Sequence, residues 1–152
     1  MRVIRVYKGE RRLEFWNNEI LERSFKIALG FSPKGNKLRD GDGRTPEGNY
    51  YICTKNPKSK FTLFMGICYP NQQDAERGLS EGLISEVEHL RIKNAIEEGR
   101  RPDWETSLGG KIGIHGMGAS LDWTAGCIAL EDDDIQWLWD RTELGDSVEI
   151  YE

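Results

Sequence analysis

The sequence predicts a mainly β domain with helical additions, and three observations carry that prediction. Apolar residues recur every second position: Phe25, Ile27 and Leu29 alternate with Ser24, Lys26 and Ala28, and Phe61, Leu63, Met65, Ile67 and Tyr69 alternate with Thr62, Phe64, Gly66 and Cys68. That period places one set of side chains on one face of a sheet. Turn material such as "KGE", "WNNE" and "KNPKS" separates these runs at short intervals. Only two segments, 72–99 and 131–143, leave the pattern for a helical one.

Taken in order, "VIRVY", "RLEFW", "ILERSFKIAL", "NYYICT" and "FTLFMGICY" read as strands, joined as hairpins in a mostly antiparallel sheet. After "YPN" the chain lacks proline to residue 99, and Leu79, Leu83, Val87 and Leu90 recur at helical spacing among charges. Gly99 and Pro102 end that helix, which is expected to be an insertion packed on the sheet's edge. Strand returns at "KIGIH" and "CIAL". A second helix follows at "EDDDIQWLWDRTE", its acidic start suiting the positive end of the helix dipole. Gly145 and Asp146 turn into a last strand, "SVEIYE". With 152 residues and no repeat or linker, residues 1–152 read as a single domain with one sizeable core.

Composition removes several function classes. A net charge of −5 without a basic, aromatic-interleaved stripe argues against nucleic acid. No apolar run reaches the length of a transmembrane segment. "MRVIRVYKGE" alternates charge with Val and Ile and has no apolar h-region, so it is not a signal peptide; the chain is expected to be cytoplasmic, or a mature fragment whose export signal was removed. Three cysteines without zinc-type spacing indicate neither a disulfide framework nor a metal site, and leave at least one thiol free.

The candidate chemistry lies in "KIGIHGMGASLDWTAGCIAL", Lys111–Leu130. In the first strand Ile112 and Ile114 share a face and His115 falls opposite, with Gly113 and Lys111. In the second, Ile128 and Leu130 share a face and Cys127 falls opposite, with Ala129. If the strands are neighbours, thiol and imidazole look into one cleft floored by glycine and alanine. A nucleophilic cysteine needs such a base, because the thiolate is the attacking species. Gly116 and Gly126 allow sharp backbone turns that bring amides toward an oxyanion. The plainer reading is a buried structural cysteine beside a satisfied histidine.

The pattern "IHG…TAGCIAL", with "GRTPEGNYYI" upstream, resembles the L,D-transpeptidase catalytic domain (the YkuD-like family), in a GCIAL-type branch. The resemblance covers most of the chain and implies a β-sandwich or mixed sheet with a helical insertion and one C-terminal helix. It implies a cysteine acyltransferase acting on peptidoglycan stem peptides. The cysteine attacks the carbonyl before a terminal D-alanine, a thioester forms, D-alanine leaves, and an amine or water resolves the intermediate. Carried onto this chain, Cys127 is the nucleophile and His115 the base. Thr124 or the Gly116 carbonyl holds the imidazole, and the Gly126 and Cys127 N–H groups are oxyanion-hole candidates. No metal or organic cofactor is called for, and a monomer is expected.

The chain departs from the common Ser-His-Gly-Cys-Ile-Arg form of the motif, having Thr124-Ala125-Gly126-Cys127-Ile128-Ala129. Losing arginine removes a planar, always-charged carboxylate partner. That opens two alternatives: a carboxypeptidase or endopeptidase using the same residues, and an inactive wall-binding module. Trp123 either stacks over substrate or anchors its loop; Tyr69 either lines the groove or covers the core. "DGDGR" lacks the remaining ligands of a calcium loop and reads as a flexible segment bordering the cleft. His89 has no second ligand at metal-binding spacing. Cys53 and Cys68 read as buried small residues, or a disulfide if pairing brings them together.

Overall fold

Arg2–Tyr7 (β1), Arg12–Asn17 (β2) and Ile20–Lys26 (β3) form an antiparallel meander. Its register pairs Ile4 with Phe15, Val6 with Leu13, and Leu13 with Phe25. All five are buried on one face, and such cross-strand apolar pairs are what stabilise a sheet. The computed structural model describes residues 1–152. The remaining strands are Gly48–Ser59 (β4), Thr62–Ile67 (β5), Gly113–His115 (β6), Ile128–Ala129 (β7) and Ser147–Tyr151 (β8), giving one eight-stranded sheet ordered β3-β2-β1-β8-β4-β5-β6-β7. The mainly β, mixed-sheet expectation holds. Two pairs are parallel, β1 with β8 and β6 with β7; the rest are antiparallel.

The "KNPKS" stretch, read as a turn, continues β4 to Ser59. Pro57 is tolerated because the register shifts between Asn56 and Ser59 and the proline is exposed. Beyond β3, Ala28 exchanges two backbone hydrogen bonds of 2.9 Å with Ala129. The sheet therefore curls until its two edges touch, and β7 is not an open edge.

The insertion consists of two helices, Gln72–Ser80 (α1) and Glu86–Glu97 (α2), where one was expected. Asn71 with Asp74 and Ser85 with Glu88 form reciprocal capping boxes, and Gly82 takes φ +74° between the helices. This break re-phases the apolar face. Val87 and Leu90 are exposed, while Ala75, Ile84, Ile92 and Leu108 make the small core. The insertion is also tied to β4, an interior strand, rather than to a sheet edge: Tyr50 donates to Asp74 (2.9 Å) and Tyr51 to the Arg100 carbonyl (2.8 Å). Asp132–Trp139 (α3), the C-terminal helix, buries Ile135 and Leu138 in the main core.

Candidate active site

Two very short strands set the site. Ile112, Ile114, Ile128 and Leu130 are all buried in the main core, and burying each such side chain contributes roughly 2 kcal/mol. That fixes the in-register pairing of Ile114 with Ile128 and His115 with Ala129. A one-residue slip would drive the imidazole into the apolar interior. By the strand period, His115, Gly113, Cys127 and Ala129 then share the opposite face.

His115 is almost fully buried, at 1% exposure. Its ring stacks on Phe61 at 4.5 Å and meets Trp123 edge-on at 5.5 Å. Nδ1 lies 2.8 Å from the Gly116 carbonyl oxygen. A carbonyl can only accept, so Nδ1 carries the hydrogen and Nε2 keeps its lone pair. Burial lowers the imidazole pKa below its usual 6.5, against the opposing pull of the Gly116 carbonyl. The ring is a neutral base at pH 7.

Cys127 is half-buried, and its Sγ donates to the Lys111 carbonyl at 3.3 Å. Burial pushes the thiol up to about 11, with the Gly113 amide and the Lys37 ammonium pulling the other way. At rest the thiol is therefore protonated and the imidazole neutral.

Thr124 is buried, but it does not hold the histidine. Its Oγ1 donates to the Cys127 carbonyl (2.7 Å) and accepts the Gly126 N–H (3.1 Å), bracing the turn that presents the sulfur. The imidazole's partner is Gly116. The Gly126 amide, an oxyanion-hole candidate from sequence, is thus already engaged; the Cys127 N–H meets no acceptor in the chain. Gly126 sits at φ +142°, and a Cβ there would lie 2.8 Å from the Arg44 carbonyl oxygen and 2.9 Å from Ile112. Only glycine fits.

Trp123 anchors its loop, donating to the Gly118 carbonyl (3.0 Å), and it remains 36% exposed beside His115. Tyr69 does not line the groove: it lies two residues past β5 and is fully buried in the main core, its hydroxyl donating to the Leu108 carbonyl at 2.6 Å. The "DGDGR" loop borders Gly126 as expected, but it is tied down. The Asp42 carboxylate accepts from the amides of Leu38, Arg39 and Arg44 and from Lys37 Nζ. Ala129, where the common motif has arginine, is sealed against Ala28 and Ala119. No three His, Cys, Asp or Glu side chains cluster as a metal would require. Cys53 and Cys68 are free thiols, pushed up by burial to about 11 and about 12.

Phe61, Lys111 and Asp132 carry contacts that sequence reasoning missed. The positive φ of Lys111 (57°) leaves no trace in the sequence. Phe61 appears there only as a strand residue.

The fold is thus a curled mixed sheet whose last two short strands carry a tautomer-fixed imidazole and lead from a free thiol. The family described as "YkuD: L,D-transpeptidase catalytic domain" matches residues 1–150, and the chain belongs to it. No curated protein sequence matches. Among solved structures, it resembles the helical cell shape determining protein Pgp2 of Campylobacter jejuni (TM-score 0.66, 22% identity, 99% of this chain and 47% of that one). It also resembles Bd1075 of Bdellovibrio bacteriovorus (0.61, 24%, 99% and 47%) and the L,D-transpeptidase of Xylanimonas cellulosilytica (0.55, 16%, 99% and 60%). The chain spans about half the length of the first two.

Proposed function

We propose that this domain is a cysteine acyltransferase of the GCIAL-type branch, acting on peptidoglycan stem peptides in the cell envelope. His115 Nε2 takes the Cys127 proton as Sγ attacks the carbonyl preceding the terminal D-alanine. The carbon–nitrogen bond breaks, the same proton passes to the departing amine, and D-alanine leaves a thioester on Cys127. An incoming amine or water then gives its proton to Nε2 and releases the acyl group. The Cys127 N–H stabilises the oxyanion in both tetrahedral intermediates.

What supports this reading above all is the imidazole whose Nδ1–H is committed to Gly116, leaving Nε2 with a free lone pair, on a strand paired with the one that directly follows Cys127. A second reading, L,D-carboxypeptidase or endopeptidase, is favoured by Ala129: with no arginine at that position, an acceptor stem loses one anchor and water competes better. Incubation with tetrapeptide muropeptides beside a Cys127→Ala control separates them by product mass. Dimers or exchanged D-amino acids mean transfer, tripeptides alone mean hydrolysis, and unchanged substrate with no carbapenem adduct on Cys127 refutes both in favour of a binding module.

A further inference from the structure

We propose that Asp132 is a positioning residue for His115, acting through the peptide unit that joins Gly116 to Met117. The proposal rests on the reading of His115 as the base. The Asp132 carboxylate accepts the Met117 N–H at 2.9 Å. The carbonyl of that same peptide unit, Gly116 C=O, accepts the Nδ1–H of His115 at 2.8 Å. A negative charge on the N–H side of an amide polarises it and makes its oxygen a stronger acceptor, since linked hydrogen bonds reinforce one another. When the imidazole gains a proton, its positive charge is met by this chain of bonds. The carboxylate itself touches neither reactant.

The surrounding backbone is bent to build this chain. The same Asp132 oxygen accepts the Thr62 hydroxyl at 2.6 Å. Thr62 has φ +75° and sits at the centre of a three-residue turn closed by Leu63 N–H donating to Phe61 O at 3.0 Å, a rare and strained geometry for a β-branched residue. Met117 has φ +83°. One oxygen thus holds the two strained residues that directly follow the histidine's two supports, the stacking ring of Phe61 and the carbonyl of Gly116. The Gly116 N–H donates back to Phe61 O at 2.9 Å, closing the ring of contacts. A Cβ on Gly116 would come within 2.6 Å of that Asp132 oxygen, so glycine is needed for the carboxylate to approach. Strain held at such a point is characteristic of sites where geometry matters more than stability.

The neighbour Glu131 supplies an internal comparison. It holds the same loop, accepting Ala119 N–H at 2.9 Å, but it touches no part of the chain of bonds to His115. The other charges nearby are Asp133 and Asp134 on α3, Arg23 of β3 paired with Asp134 at 3.7 Å, and Lys60 over the Phe61 ring. The bonds from Thr62 and Met117 hold the Asp132 carboxyl below its ordinary range, so it is charged at pH 7.

The test compares Asp132→Asn, which keeps an acceptor oxygen and loses the charge, with Glu131→Gln. Ring-nitrogen NMR titration is simple here because His89 is the only other histidine. Asp132→Asn is expected to lower the His115 pKa by about half to one unit. It should also lower kcat on a stem tetrapeptide about 10-fold with KM unchanged. Glu131→Gln should leave both within about 2-fold of the parent. In the unaltered protein, the Met117 amide and the His115 ring nitrogens should shift together as acid protonates Asp132, a readout that needs no variant. A His115 that ignores both Asp132→Asn and Asp132 protonation, or that responds equally to Glu131→Gln, overturns the proposal. If the tetrapeptide is not turned over at all, the reaction fails, but the titrations still decide whether Asp132 is coupled to the imidazole.

Discussion

Thr124→Val removes one hydroxyl while keeping nearly the same volume, so it isolates the bonds that shape the Cys127 turn. The hydroxyl donates to the Cys127 carbonyl at 2.7 Å and accepts the Gly126 N–H at 3.1 Å. Thr124 is only 4% exposed and Gly126 is buried, so water does not replace the lost partner of that amide. Stranding a buried N–H costs about 1–3 kcal/mol, and losing the carbonyl's bond about 1 more. The expected destabilisation is about 2–4 kcal/mol, which for a chain of this size lowers Tm by roughly 5–15 °C. Urea unfolding at 25 °C measures the first quantity and a thermal melt the second. Thr124→Ser, which keeps the oxygen, should recover most of the loss. A Val variant within about 0.5 kcal/mol of the parent, or a Ser variant as unstable as Val, refutes this account of the turn.

Four further outcomes follow from the same geometry. Gly126→Ala forces a side chain into backbone at φ +142° and against the Arg44 carbonyl; it should cost more than about 2 kcal/mol and abolish thiol acylation, read by intact mass after unfolding midpoints are matched. Thiolate absorbance of the parent minus Cys127→Ala should appear with a midpoint near 11, and a midpoint below about 8 would mean an ion pair at rest. The acylation rate should rise with pH as His115 loses its proton, because only the neutral imidazole accepts one, with its midpoint below 6.5 since burial lowers that pKa. Tyr69→Phe strands the Leu108 carbonyl; a loss of about 1 kcal/mol with KM unchanged is expected, whereas a raised KM would return Tyr69 to the groove.

Much of the fold was legible because a two-residue period reports directly on which face is buried. The parity of Ile112, Ile114, Ile128 and Leu130 alone sets His115 and Cys127 on the opposite side. What escaped was long-range or local in a different way. The placement of β8 between β1 and β4 depends on a parallel pairing that no nearby residue encodes. The helix break at residues 81–85 did have a signal, the Ser85–Glu88 capping box, but the leucine spacing across it looked continuous. The acidic run at 131–134 reads as helix-dipole compensation; which carboxylate reaches back to Thr62 and Met117 is decided by a hairpin 70 residues earlier in the chain. Thr124, offered by the sequence as a partner for the imidazole, instead serves the cysteine's own backbone through its hydroxyl, since that acceptor is only three residues away.

The central claim is that His115 accepts the Cys127 proton during attack, and rapid-quench mass spectrometry of acylation tests it most directly. With a stem tetrapeptide, the parent should gain the tripeptide acyl mass on Cys127 and release one equivalent of D-alanine. His115→Gln should slow that step about 100-fold or more, and Cys127→Ala should show no adduct. An adduct that forms at the parent's rate without His115, or turnover without any adduct on Cys127, would contradict the account.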